Sequence, residues 1–263
     1  MSLPAELLQQ LRPSLDPSLG DGASSRAKAL PLSSSLVRTS TARASSAAER
    51  ALSQAPEVES LDDVLPDGGL PRGAVVEIAG ARGLGRATGL ALRACAAAQA
   101  EARARTGDPR TPGAWCAFLD PWSTLHAPGV ARSGVDPARL LVVRAPEDAL
   151  ARVAVRIAES RAFTLITIDT AGVPGSATLG ASRSESAARR VRLDRWGTVV
   201  RRLALAIERT DTAVLVLTDV HAHRSMPLPV AMRLELDRRG DRLTLRVAKD
   251  RHGRVGAPRA VAI

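Results

Sequence analysis

The sequence predicts an α/β protein, with a mostly parallel sheet flanked by helices on both faces and an antiparallel hairpin near its C-terminal end. Three observations support this prediction. Short apolar runs typical of buried strands alternate with helical segments. Two later runs alternate apolar and polar residues around a turn, which is typical of a hairpin. A glycine-rich turn follows the first strand, as in many sheets of this class.

Each buried strand is predicted at a short apolar run, and acids close two of the runs, at Asp120 and Asp169. The carboxyl ends of parallel strands meet at one edge of a sheet, so these acids are expected at the same edge. The runs are residues 75–79, 115–119, 140–143, 165–169 and 213–217.

Helices are predicted between these strands. The first continues from the glycine-rich turn to about Arg105, and the second begins at Pro146 with acids in its first turn, as the helix dipole favours. The third is an Arg-dense segment, 184–209, whose apolar positions are expected at Val191, Val199, Leu203 and Ile207.

The antiparallel part is predicted from two alternating runs, 232–236 and 243–247, joined by a turn at 238–241. Residues 260–263 are expected to add a last edge strand. Cys95 and Cys116 both lie in apolar segments, which indicates core thiols rather than a disulfide or a metal site.

The chain of 263 residues divides into two predicted regions. Residues 1–59 are basic and rich in Ser and Ala, and we expect them to be largely flexible. This segment is either a tether for a partner or a solvated tail. Residues 60–263 form the predicted core domain.

The formal net charge is +10, and nearly all of the cations are arginines. Such a charge indicates contact with nucleic acid, although the codon bias of a GC-rich genome would also enrich Arg and Ala. Neither an apolar run of about 18 residues nor a secretory signal occurs, so no contact with a membrane is predicted. We expect a cytoplasmic protein.

The glycine-rich turn has the spacing of a phosphate-binding loop, with four residues between Gly80 and Gly85. The loop pattern continues with Lys and then Ser or Thr, but this chain has Arg86 and Ala87. Thr88 comes one residue too late to replace the hydroxyl.

The order of these motifs resembles the core of the RecA recombinases over most of residues 60–263. The approach to the loop, the strand that ends at Asp120 and the strand that ends at Asp169 each resemble the corresponding RecA segment. Lys249 and Arg251 lie where the family has two basic residues that reach a neighbouring protomer's nucleotide. The quoted motifs are LPDGGLPRG at 65–73, EIAG at 77–80, CAFLD at 116–120, GVDPARLL at 134–141 and LITID at 165–169.

The departures from the resemblance fall on catalytic groups. In the family, the loop lysine contacts phosphates and the next hydroxyl binds Mg²⁺. The glutamate that activates water is expected two residues after Asp120, where Trp122 stands. The pair that senses the γ-phosphate is Thr218-Asp219 here instead of Asn-Gln.

We therefore expect no catalytic residues, no metal, no required cofactor and no ATP hydrolysis. Residual ATP binding stays open. The degenerate nucleotide site is expected to include Gly80, Gly85, Arg86, Thr88 and Asp169, although Asp169 has the alternative role of a simple strand-end residue. His221 and His223 are too few for a metal site and are read as polar loop residues.

A basic surface for DNA or an acidic partner is predicted in the C-terminal half, with a solvated helix face as the alternative. Its residues are Arg189, Arg190, Arg192, Arg195, Arg201, Arg202, Arg224, Lys249 and Arg251.

The compact form with a degenerate site resembles ImuA, the RecA-related component of a bacterial mutagenesis cassette. That resemblance implies a non-catalytic accessory protein in damage-induced (SOS) mutagenesis and translesion synthesis, close to the nucleoid. The implied partners are an ImuB-like inactive Y-family polymerase, an error-prone DNA polymerase, RecA and DNA. Two alternatives stay open: a DNA-dependent recombination ATPase and a SulA-like inhibitor of cell division.

Overall fold

One eight-stranded sheet organises the part of the chain that the structure describes. The computed structural model describes residues 61–81, 86–106, 113–171, 196–221, 226–239 and 242–261. The strands are β1 (Ala74–Gly80), β2 (Cys116–Leu119), β3 (Leu140–Val143), β4 (Leu165–Asp169), β5 (Ala213–Asp219), β6 (Met232–Arg239), β7 (Arg242–Asp250) and β8 (Arg259–Val261).

Helices lie between most of the parallel strands. They are α1 (Leu61–Val64), α2 (Arg86–Thr106), α3 (Ala127–Arg132), α4 (Glu147–Glu159) and α5 (Trp196–Ile207), and a short 3-10 helix (Pro137–Arg139) precedes β3. The predicted first and second helices are confirmed almost to the residue. Of the predicted third helix, only α5 lies within the described residues.

The strand order is β3-β2-β4-β5-β1-β6-β7-β8. Every neighbouring pair from β3 to β6 is parallel, whereas β6 with β7 and β7 with β8 are antiparallel. The predicted fold class, a mostly parallel sheet with a C-terminal hairpin, is therefore confirmed. β8 is the predicted edge strand.

Alternation along the strands builds a core on each face of the sheet. Val76 and Ile78 of β1 join the cluster that includes Leu90 of α2. Val75 faces the other way and joins the cluster that includes Leu150 of α4 and Val200 of α5. Both faces are therefore covered, as the apolar strands predicted.

The buried stripe of α5 consists of Trp196, Val200, Leu203 and Ile207. The sequence prediction named Val199 as an apolar position of this helix. Val199 is half-buried and packs against the same cluster, whereas the fully buried position beside it is Val200. Both valines fit an apolar period of 3.6 residues, and only the orientation of the helix on the sheet distinguishes them.

Polar side chains tie separate elements together at the amino edge, which we define as the edge where the parallel strands begin. Arg72, just before β1, donates to the carboxylate of Glu101 in α2 at 2.6 Å and to the carbonyl of Asp211 at 3.5 Å. Gln99 of α2 accepts from the backbone N–H of Asp136 at 2.8 Å and donates to the carbonyl of Arg139 at 3.3 Å. These bonds fix α2 against the segments that precede β1, β3 and β5.

The hairpin is attached through Arg254. Its guanidinium forms two hydrogen bonds with Asp67, at 2.8 and 2.9 Å, and a third with Asp250 at 2.8 Å. Burial tends to raise the pKa of Asp250, but hydrogen bonds from Arg254 and the backbone of His252, with the charge of Arg254, outweigh it and hold that pKa below its usual value.

The two thiols lie together in the core, as predicted. Both cysteines are fully buried and unpaired as disulfides, and the Cys116 thiol donates weakly to the carbonyl of Cys95 at 3.7 Å. The hydrogen bond with Cys116 and then burial raise the pKa of Cys95 well above its usual value, so both act as small apolar core residues. Within the ranges given above, no helix is long and apolar enough to cross a bilayer.

Candidate functional site at the carboxyl edge of the sheet

The ends of four parallel strands bring the predicted site residues to one edge, which we call the carboxyl edge. Gly80 ends β1 beside Asp219 of β5, and the N–H of Val220 donates to the carbonyl of Gly80 at 3.1 Å. Asp120 directly follows β2, and Asp169 ends β4. In open parallel sheets, ligands bind outside this edge.

The segment predicted to be a phosphate-binding loop connects β1 to α2. Residues 82–85, and Gly85 with them, lie outside the described residues. Arg86 is the first residue of α2 and is exposed. Ala87 packs against the core cluster on the α2 face, and Thr88 is half-buried. The loop pattern has a Lys followed by a metal-binding hydroxyl at these two positions. In this chain the first carries the exposed guanidinium of Arg86 and the second the methyl group of Ala87.

Asp120 is completely buried, and its carboxylate accepts three hydrogen bonds from the turn that follows. The donors are the backbone N–H of Thr124 at 2.9 Å, the Thr124 hydroxyl at 3.0 Å and the backbone N–H of Leu125 at 2.9 Å. Ser123 within this turn has a φ of 54°, in the left-handed region. The carboxylate thus holds a strained turn closed.

Asp169 lies next to this turn. Its carboxylate accepts from the backbone N–H of Ala171 at 2.9 Å, and its second oxygen lies 3.5 Å from the Thr124 hydroxyl. A hydroxyl has one proton to donate, so Thr124 serves one of the two carboxylates at a time. The shorter distance to Asp120 makes that aspartate the better acceptor.

Trp122 lies between Asp120 and Thr124 in the sequence. Its side chain packs against the apolar cluster formed with α4 and α5. The indole N–H is buried and has no hydrogen-bond partner among the described residues. An indole donates a hydrogen bond and accepts none, so Trp122 cannot take a proton from water.

A buried carboxylate that the sequence prediction did not identify lies behind the edge, in β1. Glu77 is fully buried and accepts from the Thr218 hydroxyl at 2.7 Å, and the guanidinium of Arg233 in β6 lies 3.5 Å from its other oxygen. Thr218 is the first residue of the pair that the sequence resemblance matches to Asn-Gln. The signal in the sequence was an acid inside an apolar strand, which requires a buried partner.

The same network continues to the surface of the hairpin. Arg233 donates to Glu235 at 3.1 Å, and Arg246 of β7 donates to Glu235 from Nε at 3.1 Å and from Nη2. Lys249 lies opposite Arg233 in the β6–β7 register. Charged side chains therefore run from beneath the carboxyl edge to the outside of the hairpin.

The structure separates the residues of the predicted basic surface. Arg201 and Arg202 are exposed on α5, whereas Lys249 and Arg251 are exposed at the end of β7. Arg251 donates from Nε to the His252 ring at 3.0 Å. The other predicted members, Arg189, Arg190, Arg192, Arg195 and Arg224, lie outside the described residues.

Metal ligands are not grouped in the part of the chain that the structure describes: no three His, Cys, Asp or Glu side chains there are placed to hold an ion. His221 is exposed, and its backbone N–H donates to Asp219 at 2.9 Å. His223 falls outside the described ranges.

Comparison with known proteins gives matches to RecA. The model of the RecA N-terminal domain family matches residues 41–226. The RecA protein of Cutibacterium acnes is 39% identical over 113 residues, which cover 42% of this chain and 29% of that protein. The RecA protein of Gluconacetobacter polyoxogenes is 32% identical over 165 residues, which cover 61% of this chain and 43% of that protein. The chain thus spans less than half the length of these relatives.

Proposed function

Because the chain belongs to the RecA family, whose N-terminal domain model matches most of it, we propose that it is a non-catalytic RecA-like accessory protein in damage-induced (SOS) mutagenesis and translesion DNA synthesis. It would act by binding an ImuB-like inactive Y-family polymerase, an error-prone DNA polymerase, RecA or DNA. Its place of action would be the nucleoid.

The observation that carries this proposal is the environment of Trp122. The resemblance to RecA puts the water-activating glutamate at this position, and the indole there packs into the apolar cluster beside α4. The neighbouring carboxylate of Asp120 is occupied by three hydrogen bonds within its own turn. Loss of a general base lowers an enzymatic rate by about 10²–10⁴.

The start of α2 supports the same proposal. Arg86 keeps a positive charge, but a planar guanidinium does not replace the compact ammonium of a phosphate-loop lysine. Ala87 offers no oxygen to Mg²⁺. Two further contributions to hydrolysis, metal binding and stabilisation of the transferred phosphoryl group, would be lost with them.

If hydrolysis no longer drives assembly, binding must rest on surfaces that are present without nucleotide. Exposed arginines on α5 and basic residues at the end of β7 offer two such surfaces. Electrostatic attraction to DNA or an acidic partner would then weaken as salt concentration rises.

Partner capture tests this function. The full chain is immobilised and offered a purified ImuB-like polymerase relative, RecA or FtsZ, with and without ATP. We expect retention of the polymerase relative, independent of ATP. Retention of FtsZ alone would favour the division-inhibitor alternative and contradict the proposal.

Calorimetric titration with ATP, with and without Mg²⁺, tests the nucleotide site separately. We expect weak binding or none, and no added affinity from Mg²⁺, because Ala87 has no hydroxyl for the metal. Micromolar, Mg²⁺-dependent affinity accompanied by turnover would support the recombination ATPase instead.

A further inference from the structure

Helix α5 has an exposed leucine on the side that faces away from the core. Its buried stripe is complete with Trp196, Val200, Leu203 and Ile207. Leu205 follows Leu203 by two residues, about 200° further around the helix, and its side chain is 70% exposed. Burial of the helix on the sheet therefore gives no reason for a leucine at this position.

The surroundings of Leu205 are cationic. Arg201 and Arg202 lie four and three residues before it, so both are neighbours on the helix surface. Both are exposed, and neither forms an ion pair with any residue that the structure describes. The helix itself contains no acid, and the first one beyond it is Glu208. The outer face of α5 thus combines an apolar side chain with two guanidinium groups that have no ion-pair partner among the described residues.

We propose that the outer face of α5 docks an acidic, amphipathic protein segment, whose apolar side chain covers Leu205 while its carboxylates pair with Arg201 and Arg202. The proposal rests on the function proposed above and names the chemistry of its protein partner. Arg–carboxylate pairs are frequently bidentate, which gives orientation as well as affinity. Burial of Leu205 supplies the apolar part.

DNA is the other polyanion that this face would attract. Phosphates interact with arginines and gain nothing from an isolated leucine among them. The presence of Leu205 therefore favours a protein segment, and its contribution separates the two partners experimentally.

The probe is a fluorescently labelled synthetic peptide in which Glu and Leu recur at helical spacing, titrated with the full chain and followed by anisotropy. We expect binding that weakens with salt. Leu205→Ala should reduce the affinity by about tenfold, the effect of losing buried apolar groups. The double variant Arg201→Gln, Arg202→Gln should reduce it and flatten the salt dependence.

Two matched controls define specificity. Val255→Ala alters another exposed apolar side chain, and Arg152→Gln alters an exposed arginine on α4. Both should leave peptide affinity within about twofold of the wild type, because neither side chain belongs to α5. Circular dichroism melts should show that every variant folds, since the altered side chains are all exposed.

Several outcomes would overturn the inference. These are no binding of the peptide by the wild-type chain, equal affinity for wild type and Leu205→Ala, or an arginine effect seen only with a single-stranded oligothymidylate probe. The partner-capture assay, repeated with Leu205→Ala, keeps the two proposals apart. Undiminished capture would place the partner on another surface and leave the proposed function intact, whereas failed capture by the wild type would reject the function itself.

Discussion

Arg72 and Gln99 at the amino edge of the sheet and the two aspartates at its carboxyl edge make mostly different kinds of polar contact. At the amino edge, Arg72 joins residues 29 and 139 positions away, and Gln99 joins residues 37 and 40 positions away. At the carboxyl edge, Asp120 and Asp169 accept from backbone groups no more than five residues further along the chain. The first set connects elements, while the second shapes single turns.

This difference explains how the fold would tolerate the proposed loss of catalytic groups. Contacts between distant elements are formed only in the native state, so their loss lowers the stability of the whole domain. Local contacts at the carboxyl edge mostly affect their own turns. On the proposed function, residues such as Ala87 and Trp122 would be replaceable without loss of the scaffold, provided that the new side chains packed.

The largest effect is expected for Arg72→Met. The Arg72 side chain is 4% exposed and its partner Glu101 17% exposed, so the change leaves a largely buried carboxylate with weaker compensation from Arg105. We expect the free energy of unfolding to fall by about 2–3 kcal/mol. Urea denaturation measures it.

The matched control is Arg105→Met, which removes the other guanidinium from Glu101 at a position that is 49% exposed. Its cost should stay below about 1 kcal/mol. Equal losses for the two variants would mean that burial does not decide the strength of the amino-edge contacts.

Gln99→Leu should have the next largest effect. Gln99 is fully buried, and its loss leaves the N–H of Asp136 and the carbonyls of Asp136 and Arg139 without their side-chain partner. We expect a loss of about 2 kcal/mol and faster amide exchange before β3. Wild-type exchange in that segment would contradict the assigned role.

Asp120→Ala tests the carboxyl edge. The N–H groups of Thr124 and Leu125 lose their acceptor, and the left-handed turn at Ser123 loses its closure. We expect a global loss of about 1 kcal/mol, with exchange accelerated mainly in residues 121–126. A larger decrease in the free energy of unfolding than Arg72→Met causes would contradict the proposed difference between the two edges.

The smallest effect concerns pH. In the folded protein, the pKa of Asp250 is held below its unfolded value of about 3.9. The stabilisation that Asp250 contributes is therefore fully present above the unfolded pKa, and it is lost as pH falls through the folded pKa. Arg254→Met should therefore flatten the acid limb of the stability curve below about pH 4 and leave its shape near neutrality unchanged. Thermal melts from acid to neutral pH measure it, and an unaltered acid limb would contradict the assignment.

Much of the fold follows from the sequence because strands and helices carry strong periodic signals. The apolar runs at β1, β2, β4 and β5, the acids Asp120 and Asp169 that close two of them, and the hairpin were predictable, since buried parallel strands read as continuous apolar segments. The orientation of α5 was not, because Val199 and Val200 satisfy the same pattern.

The site was less predictable than the fold. The acid inside β1 was visible in the sequence, but its partners Thr218 and Arg233 are 141 and 156 residues away and are brought close only by the sheet order β5-β1-β6. The role of Thr124 was likewise not predictable, because only the fold places its hydroxyl near the carboxylates of both Asp120 and Asp169. Periodicity predicts elements, whereas long-range polar pairing depends on topology.

The release of phosphate from ATP tests the central claim most directly: this RecA-family fold persists while its hydrolytic chemistry has been lost. The full-length wild-type chain and Arg86→Ala are incubated side by side with ATP, Mg²⁺ and single-stranded DNA. The account predicts that both release phosphate at the rate of protein-free buffer. DNA-stimulated release by the wild type that Arg86→Ala fails to match would contradict it.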